Sequence, residues 1–411
     1  MRRIAFILAG LALLAAGCGK SAGSKDAAEH LVIAVDVPVT GSPYVAQTIR
    51  HGVALAASNL NGGGGIRVGS KSYELTVKLY DNHLSARRAV QNARRALEAG
   101  AVTIVTDGTG VDATWQVARR EGVSICVTYD GGTGLVDAAT RSNVFRIAPT
   151  NHGIAFRYAE YLIPQKLKVA LLADDSAYGR EGAADVTRAF AYNPEAVALR
   201  LTLPAGQTDL TPQMLRARRS GATAVLLWGQ APTIAAALSA ARSIGWDVPF
   251  YTPPTGGDPF IRQQLADHRD WVDGLTFASG RMTAEVGTAP FASFQSQYEA
   301  AYGADRVGVK TSDGQAVLQP PEFAMYSYDF VHVLVAAITR AASVEPEQVT
   351  AALNEVTTQG ANGDERGFNR HSHEGVVDDD VYFAHFDDMT FAPVQDDPLS
   401  ATLPPIQQTR G

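Results

Sequence analysis

The fold is decided by residues 31–66, which read LVIAVDVPVTGSPYVAQTIRHGVALAASNLNGGGGI. The run at 31–35 is short and continuously apolar and ends near Pro38, which is typical of a parallel strand buried on both faces. Apolar residues then recur at helical spacing from Val45 to Ala56, until a run of glycines ends the helix. The segment therefore predicts a strand, a loop and a helix, which is the repeating unit of an α/β protein.

The same alternation continues along the chain. Strands are predicted at 73–80, 101–105, 123–128, 168–172, 196–203, 224–228 and 249–252, and helices at 85–99, 111–121, 179–191, 211–220 and 233–245. Two such series, divided near Arg146, predict two α/β lobes, each with a parallel sheet. We expect later helices at 290–302 and 322–342 to complete the first lobe, and a closing hairpin at 381–394.

Composition narrows the class of protein. The chain has 411 residues, of which 46% are hydrophobic, a length that predicts two or three domains. Its net charge of −7 argues against a nucleic-acid groove. The two cysteines, Cys18 and Cys126, provide neither a disulfide framework nor a thiol-rich metal site. Cys126 lies in an apolar strand and is interpreted as a buried small hydrophobe.

The N-terminus has the pattern of an export signal. A short basic start precedes the apolar run at 4–16, whose residues, at ~1.5 Å each in a helix, are too few to cross a hydrocarbon core of ~30 Å. LAAGC at 14–18 then resembles a bacterial lipobox, in which Cys18 takes a diacylglycerol. We expect a signal peptide at 1–17, a flexible tether at 18–30 and a lipid anchor at Cys18. A plain secretory signal with an incidental cysteine is the alternative.

The sequence does not indicate catalysis. The sequence has no GxSxG elbow, no GxxxxGK[ST] loop and no HExxH helix, and GTG at 108–110 and GGTG at 131–134 lack the third glycine of a dinucleotide fingerprint. HSH at 371–373, near acidic residues 378–380, is interpreted as an exposed loop rather than a metal site. We expect no enzyme, no cofactor and no metal.

The loops that follow the predicted strands form a candidate cleft, because ligands of open α/β sheets bind outside the carboxyl ends of the strands. These loops are rich in hydroxyls and glycines, which could present hydrogen-bond donors to an anionic group. Tyr129, Tyr178 and Trp228 could stack on the ligand. Alternatively, these residue types are simply those of turns and N-caps. The candidate ligand-binding residues are Tyr44, Asp107, Gly108, Thr109, Gly110, Thr128, Tyr129, Asp130, Tyr178, Trp228 and Thr255.

Several segments, taken in order, resemble one known family. They are PVTG at 38–41, GVALAASNLNGGGGI at 52–66, LYDN at 79–82, RREGV at 119–123, NVFRIAP at 143–149 and DDSAYG at 174–179. Together they are similar to the type I solute-binding proteins of the branched-chain amino acid class, which feed ABC importers. The resemblance extends from Leu31 to about Val394.

The resemblance implies a type I periplasmic-binding fold: α/β, with two Rossmann-like lobes whose parallel sheets are joined by three hinge crossovers. We place the crossovers near 146–149, 278–281 and 375–380. The N-terminal lobe then comprises 31–147 plus 279–375, the C-terminal lobe 148–278 plus 376–396, and the tail 397–411. The implied partners are a small-molecule ligand and ABC permease and ATPase subunits. We expect an exported, lipid-anchored monomer that does not bind nucleic acid.

The resemblance also implies roles for individual residues. The loops at 107–110 and 128–133 match those that hold the ligand carboxylate in the family, and Tyr178 matches a family tyrosine that precedes glycine. The family's acidic partner for an α-ammonium, expected near Thr255, is missing. Asp107 instead stands in a loop that is serine-rich in the family. We therefore hypothesise that an aspartate supplies the counter-charge from another side; the candidates are Asp107, Asp130 and Asp175.

Three functions remain open at this point. The first is capture of a small polar metabolite, such as an amino acid, for delivery to an ABC importer. The second is a ligand-sensing receptor subunit that uses the same cleft. The third is an envelope interaction protein that has lost ligand binding and regulates a cell-wall enzyme.

Overall fold

The structure, a computed structural model, describes residues 29–280, 290–377 and 380–399. Cys18, the signal peptide and residues 400–411 lie outside the described residues. Strands and helices alternate to form two large sheets, one of six strands and one of seven. This arrangement confirms the predicted α/β class with two lobes.

The first lobe is built on the six-stranded sheet, whose order is β2-β3-β1-β4-β5-β6. Its strands are β1 (Glu29–Val37), β2 (Ile66–Val68), β3 (Lys71–Asp81), β4 (Ala101–Thr106), β5 (Ser124–Val127) and β6 (Val144–Arg146). The helices between them are α1 (Pro43–Gly62), α2 (Ala86–Glu98) and α3 (Val111–Arg120). The pairing is parallel apart from β2, which runs antiparallel to β3. Every residue of β4 is buried, as expected for a strand with helices on both sides.

The second lobe is built on the seven-stranded sheet, whose order is β17-β16-β11-β10-β9-β7-β8. Its strands are β7 (Val169–Asp174), β8 (Val197–Leu203), β9 (Ala224–Trp228), β10 (Phe250–Thr252), β11 (Leu275–Ser279), β16 (Tyr382–Asp387) and β17 (Thr390–Pro393). Its helices are α4 (Asn151–Leu162), α5 (Ala177–Ala189), α6 (Thr211–Arg219), α7 (Ala231–Ser243), α8 (Pro259–Gln264) and α9 (Arg269–Val272). The hairpin of β16 and β17 adds antiparallel strands at one edge, at the position where the sequence predicted a closing hairpin.

Between β11 and β16 the chain returns to the first lobe. This stretch contains α10 (Pro290–Tyr302), β12 (Arg306–Lys310), β13 (Ala316–Leu318), α11 (Glu322–Ala341), α12 (Pro346–Ala352), β14 (Thr357–Gln359) and β15 (Glu365–Gly367). Helix α11 packs so closely against α1 that a Cβ placed on Gly52 would lie only 2.1 Å from the carbonyl oxygen of Ala324. Ser327 Oγ also donates to the carbonyl of Ile49 at 3.0 Å.

The chain therefore crosses between the two sheets after β6, after β11 and before β16. Ion pairs involve the first and the third of these crossovers. Arg146, at the first crossover, pairs with Glu374 at 2.6 Å, just before the third. Arg366 of β15 donates to Asp380 within the third crossover at 3.0 Å.

Both ends of the described chain differ from the sequence-based expectation. Strand β1 begins at Glu29, inside the predicted tether, because Glu29 pairs with Tyr73 of β3. Asp397, predicted to begin a surface tail, is 1% exposed and pairs with Arg157 at 3.1 Å. The sequence analysis also missed α4, the hairpins β12–β13 and β14–β15, and the short elements β2, β6, α8, α9 and α12. Across residues 29–280, 290–377 and 380–399, no helix combines the length and apolarity needed to cross a membrane.

Candidate functional site

Asp107 follows β4 at the carboxyl edge of the first sheet and is 7% exposed. Its carboxylate accepts hydrogen bonds from Asn82 Nδ2 at 2.7 Å and from Thr109 Oγ1 at 2.5 Å. Burial raises the pKa of the Asp107 carboxyl, and these hydrogen bonds oppose the rise. The predicted loop is therefore organised around a buried acid rather than around free hydroxyl donors.

Asp130, in the loop after β5, lies directly beside the Asp107 loop. Gly108 has a φ of 122°, and a Cβ placed on it would lie 2.4 Å from the Cβ of Asp130. Glycine is therefore required where the two loops meet. The Asp130 carboxylate accepts from the backbone N–H of Gly132 at 2.8 Å, and burial raises its pKa. The two strand-end loops that the sequence analysis selected are thus brought together.

Three predicted tyrosines lie around these loops. Tyr129 packs against Phe323 of α11, with ring centroids 5.0 Å apart. The Tyr44 hydroxyl, at the start of α1, accepts a hydrogen bond from Gln319 Nε2 at 3.0 Å. Tyr178, at the start of α5, packs against Trp228 of the same lobe, with ring centroids 6.0 Å apart. Burial raises the pKa of all three hydroxyls, so each is a neutral phenol at physiological pH.

The charges of four carboxyl groups act on the Tyr129 hydroxyl. The charges that raise the pKa of its hydroxyl, beyond the effect of burial, come from four acids. These are Asp258, Asp130, Asp107 and Glu322. The sequence analysis did not assign a role to Asp258 or Glu322, although Asp258 followed the loop of Thr255.

Asp258 and Glu322 are held by their own local contacts. Asp258 caps the N-terminus of α8 by accepting from the backbone N–H of Phe260 at 2.8 Å. Glu322 accepts from Ser279 Oγ at 2.9 Å and from the backbone N–H of Gly280, at the second crossover. Burial raises the pKa of Glu322 from 4.5 to about 7. An acid followed by proline at a helix start was the available signal for Asp258.

Contacts between the lobes close over this cluster. Thr133 Oγ1 in the first lobe donates to the carboxylate of Asp185 on α5, at 3.1 and 3.2 Å from its two oxygens. Gln319, which donates to Tyr44, also donates to the carbonyl of Gly257 at 3.3 Å. These hydrogen bonds link the first-lobe loops and α1 to second-lobe residues, so the structure represents a closed arrangement.

Trp228 requires a correction. Its ring is 1% exposed and lies against α5, where a Cβ placed on Gly182 would be 2.3 Å from the indole. The side chain belongs to the core of the second lobe and offers no stacking surface to the cleft in this conformation. Thr255 is also mostly buried and donates to the carbonyl of Gly229 at 2.7 Å.

The remaining candidates serve local structure. Gly110 caps α3 in the left-handed conformation, and Thr128 is buried with its N–H bonded to Thr106. Asp175 is exposed and accepts from the backbone N–H of Ala205 at 2.8 Å, which joins the loop after β7 to the loop after β8. Cys126 is a buried free thiol. In the described ranges, no group of three or more His, Cys, Asp or Glu side chains is arranged to hold a metal ion.

The family model and the curated relative that match this chain are both binding proteins. A family model described as periplasmic binding protein matches residues 31–390. A curated relative, the leucine-, isoleucine-, valine-, threonine- and alanine-binding protein of Pseudomonas aeruginosa, is 25% identical over 369 residues, which cover 88% of this chain and 91% of that protein.

Solved structures share the fold. A type 1 periplasmic binding protein from Bordetella pertussis Tohama I superposes with a TM-score of 0.75 at 23% identity, covering 89% of this chain and all of that one. A branched-chain amino acid substrate-binding protein from Streptococcus pneumoniae, in complex with isoleucine, gives a TM-score of 0.73 at 18% identity. That match covers 88% of this chain and 98% of the other.

Proposed function

We propose that this chain, which belongs to the periplasmic binding protein family, is a lipid-anchored protein that captures a small polar metabolite between its lobes and delivers it to an ABC importer. The family is exported, binds small molecules and works with ABC transporter components, and its members are not enzymes. An amino acid or a related compound is the ligand class that the curated relative's name supports.

The observation that carries the proposal is a set of polar side chains near the hydrogen bonds that join the lobes. The first lobe contributes Asp107, Tyr129 and Asp130 to this set, and the second contributes Tyr178 and Asp258. A ligand that contacts both sides favours the closed form by its differential affinity, which is how hinge-bending proteins convert binding into a change of shape. Closure then creates a surface that a membrane partner can distinguish from the open form.

Anchoring at Cys18 would hold the two lobes near the importer by the tether that follows it. The lipobox-like sequence before Cys18 supports this part of the proposal. Mass spectrometry of the protein extracted from membranes should find the diacylglyceryl modification on Cys18, and Cys18→Ala should release the protein from the membrane fraction. An unmodified Cys18 would indicate a plain secretory signal instead.

Ligand capture is tested by a thermal-shift screen of the protein freed of residues 1–18. The panel contains amino acids, amides, amines, carboxylates and polyamines, each at high concentration. A ligand present at ~100 times its Kd adds ~2.7 kcal/mol of stability, which is readily measured as a rise in Tm. A rise with one chemical class supports capture, and uptake of that compound by cells lacking this protein should then fall. No rise with any class contradicts capture and favours an interaction role.

A further inference from the structure

Two carboxylates from opposite lobes lie close together, one on the partly buried Asp130 and one on the exposed Glu181. A Cβ placed on Gly132 would lie 2.8 Å from Glu181 Oε2, on α5, and 3.1 Å from Asp130 Oδ1. The two carboxylates are therefore less than about 6 Å apart, a separation at which like charges oppose each other's ionisation. After the effect of burial, Asp130 is the largest influence raising the pKa of Glu181.

The arginines near this pair are engaged elsewhere. Arg146 donates to the carbonyls of Asp130 and Gly132 at 3.0 and 2.9 Å, and its other nitrogens pair with Glu374. Arg180 donates to the carbonyl of Asp175. Neither guanidinium hydrogen-bonds to either carboxylate, although Arg146 opposes the rise in the pKa of Asp130 and Arg180 opposes that of Glu181. The two carboxylates therefore face each other without a cation bonded between them.

A buried donor lies beside the same loop. Asn151 is 2% exposed, and its side-chain oxygen would lie 2.7 Å from a Cβ placed on Gly131. Its Nδ2 has no hydrogen-bond partner among the residues that the structure describes. Because an unpaired buried donor costs free energy, a ligand that offers an acceptor here would be favoured.

We infer that the ligand is an organic cation, with an ammonium group held between Asp130 and Glu181 and a neutral hydrogen-bond acceptor, such as an amide or hydroxyl oxygen, near Asn151. This inference rests on the proposed capture function. A free carboxylate is disfavoured beside these groups, because the adjoining loops already carry the carboxyls of Asp107 and Asp130 and like charges oppose each other. The ligand class is therefore aminoacyl amides and amino alcohols rather than zwitterionic amino acids.

A matched ligand series tests the charge directly. Calorimetric titrations would compare leucinamide, a cation, with zwitterionic leucine, anionic 4-methylpentanoate and neutral 4-methylpentanamide. The same four forms are then repeated on the alanine and phenylalanine skeletons, so that side-chain size does not decide the result. We expect the amino amide of at least one skeleton to bind at least ~10-fold more tightly than its zwitterion, the ratio that one charge-assisted hydrogen bond provides. A zwitterion or anion that binds as tightly as the amino amide overturns the inference but leaves capture intact.

A pair of variants tests the same charge in the protein. Glu181→Gln should weaken binding of the amino amide by at least ~10-fold, whereas Glu74→Gln, an exposed residue on β3, should leave it unchanged. Without ligand, Glu181→Gln should raise Tm and reduce the radius of gyration, because closure no longer opposes two negative charges. If no compound binds at all, capture is refuted and the inference falls with it. If a compound binds, the ligand-free comparison is a second test of the inference. Equal Tm and radius for the two variants would overturn it.

Discussion

Replacing Arg366 with methionine should destabilise the protein in a way that depends strongly on pH. The Arg366 side chain is fully buried and forms ion pairs with Asp329 at 3.3 Å, Asp364 at 3.5 Å and Asp380 at 3.0 Å. These acids belong to α11, to the loop before β15 and to the third crossover. Methionine keeps much of the side-chain volume but leaves three buried carboxyls without their cation.

The size and sign of the effect follow from burial. Removing one partner of a buried ion pair costs ~3–5 kcal/mol, because an uncompensated charge remains. Burial raises the pKa of Asp329 and of Asp380 to about 6. A raised carboxyl pKa means that the folded state holds the proton more tightly, so stability is full at low pH and falls as pH rises through about 6. Loss of Arg366 should make this fall steeper.

Urea unfolding followed by circular dichroism measures the effect. At pH 7.5 we expect Arg366→Met to lose ~3–5 kcal/mol, and at pH 4.5 less than about half of that, because the carboxyls of Asp329 and Asp380 are then neutral. Arg340→Met is the matched control, since Arg340 forms an exposed pair with Glu355 and should cost at most ~1 kcal/mol at either pH. An equal loss for Arg366→Met at both pH values would refute the electrostatic reasoning.

Other substitutions probe the cleft and the crossovers. Gly108→Ala should abolish measurable ligand binding in calorimetry, because the added Cβ would collide with Asp130 in the neighbouring loop. Gly134→Ala is the control: Gly134 also has a positive φ, of 84°, but an added Cβ would have no atom within 4 Å, so this variant should bind the ligand as the wild type does. Thr133→Val removes the hydrogen bond to Asp185, so affinity should fall ~5-fold, as expected for ~1 kcal/mol; unchanged affinity would mean that this bond does not favour closure. Glu322→Gln should flatten the pH dependence of the free energy of unfolding between about pH 4.5 and 7, because ionisation of the wild-type Glu322 carboxyl destabilises the protein in that range. If the free energy from urea titrations depends on pH equally in both proteins, the raised pKa of Glu322 is contradicted.

Most of the regular fold could be predicted because hydrophobic periodicity reports burial. The run at 31–35 lies within β1, and the helical pattern from Val45 to Ala56 lies within α1. The elements that escaped prediction are short or weakly patterned. Strands β12 to β15 have only three to five residues each, too few for an alternation to stand out. Asp397 escaped because its partner, Arg157, is 240 residues away.

The candidate site was predictable as a set of loops but not as a set of contacts. Strand ends identify Asp107 and Asp130, because parallel strands place their following loops at one edge. The aromatic side chain of Trp228 suggested a stacking surface in the cleft. The indole instead packs against α5, because Gly182 has no side chain there. The role of Glu322 could not be predicted from sequence, because its partner Gly280 lies at the second crossover, 42 residues away in the chain.

Small-angle scattering with and without a stabilising ligand tests the central claim most directly, since the claim is that two lobes close on a small molecule. The account predicts that the compound which raises Tm also reduces the radius of gyration toward that of the closed arrangement, in which Thr133 meets Asp185. It further predicts that Thr133→Val needs more ligand to reach the same radius. A compound that raises Tm but leaves the radius of gyration unchanged would contradict capture by closure.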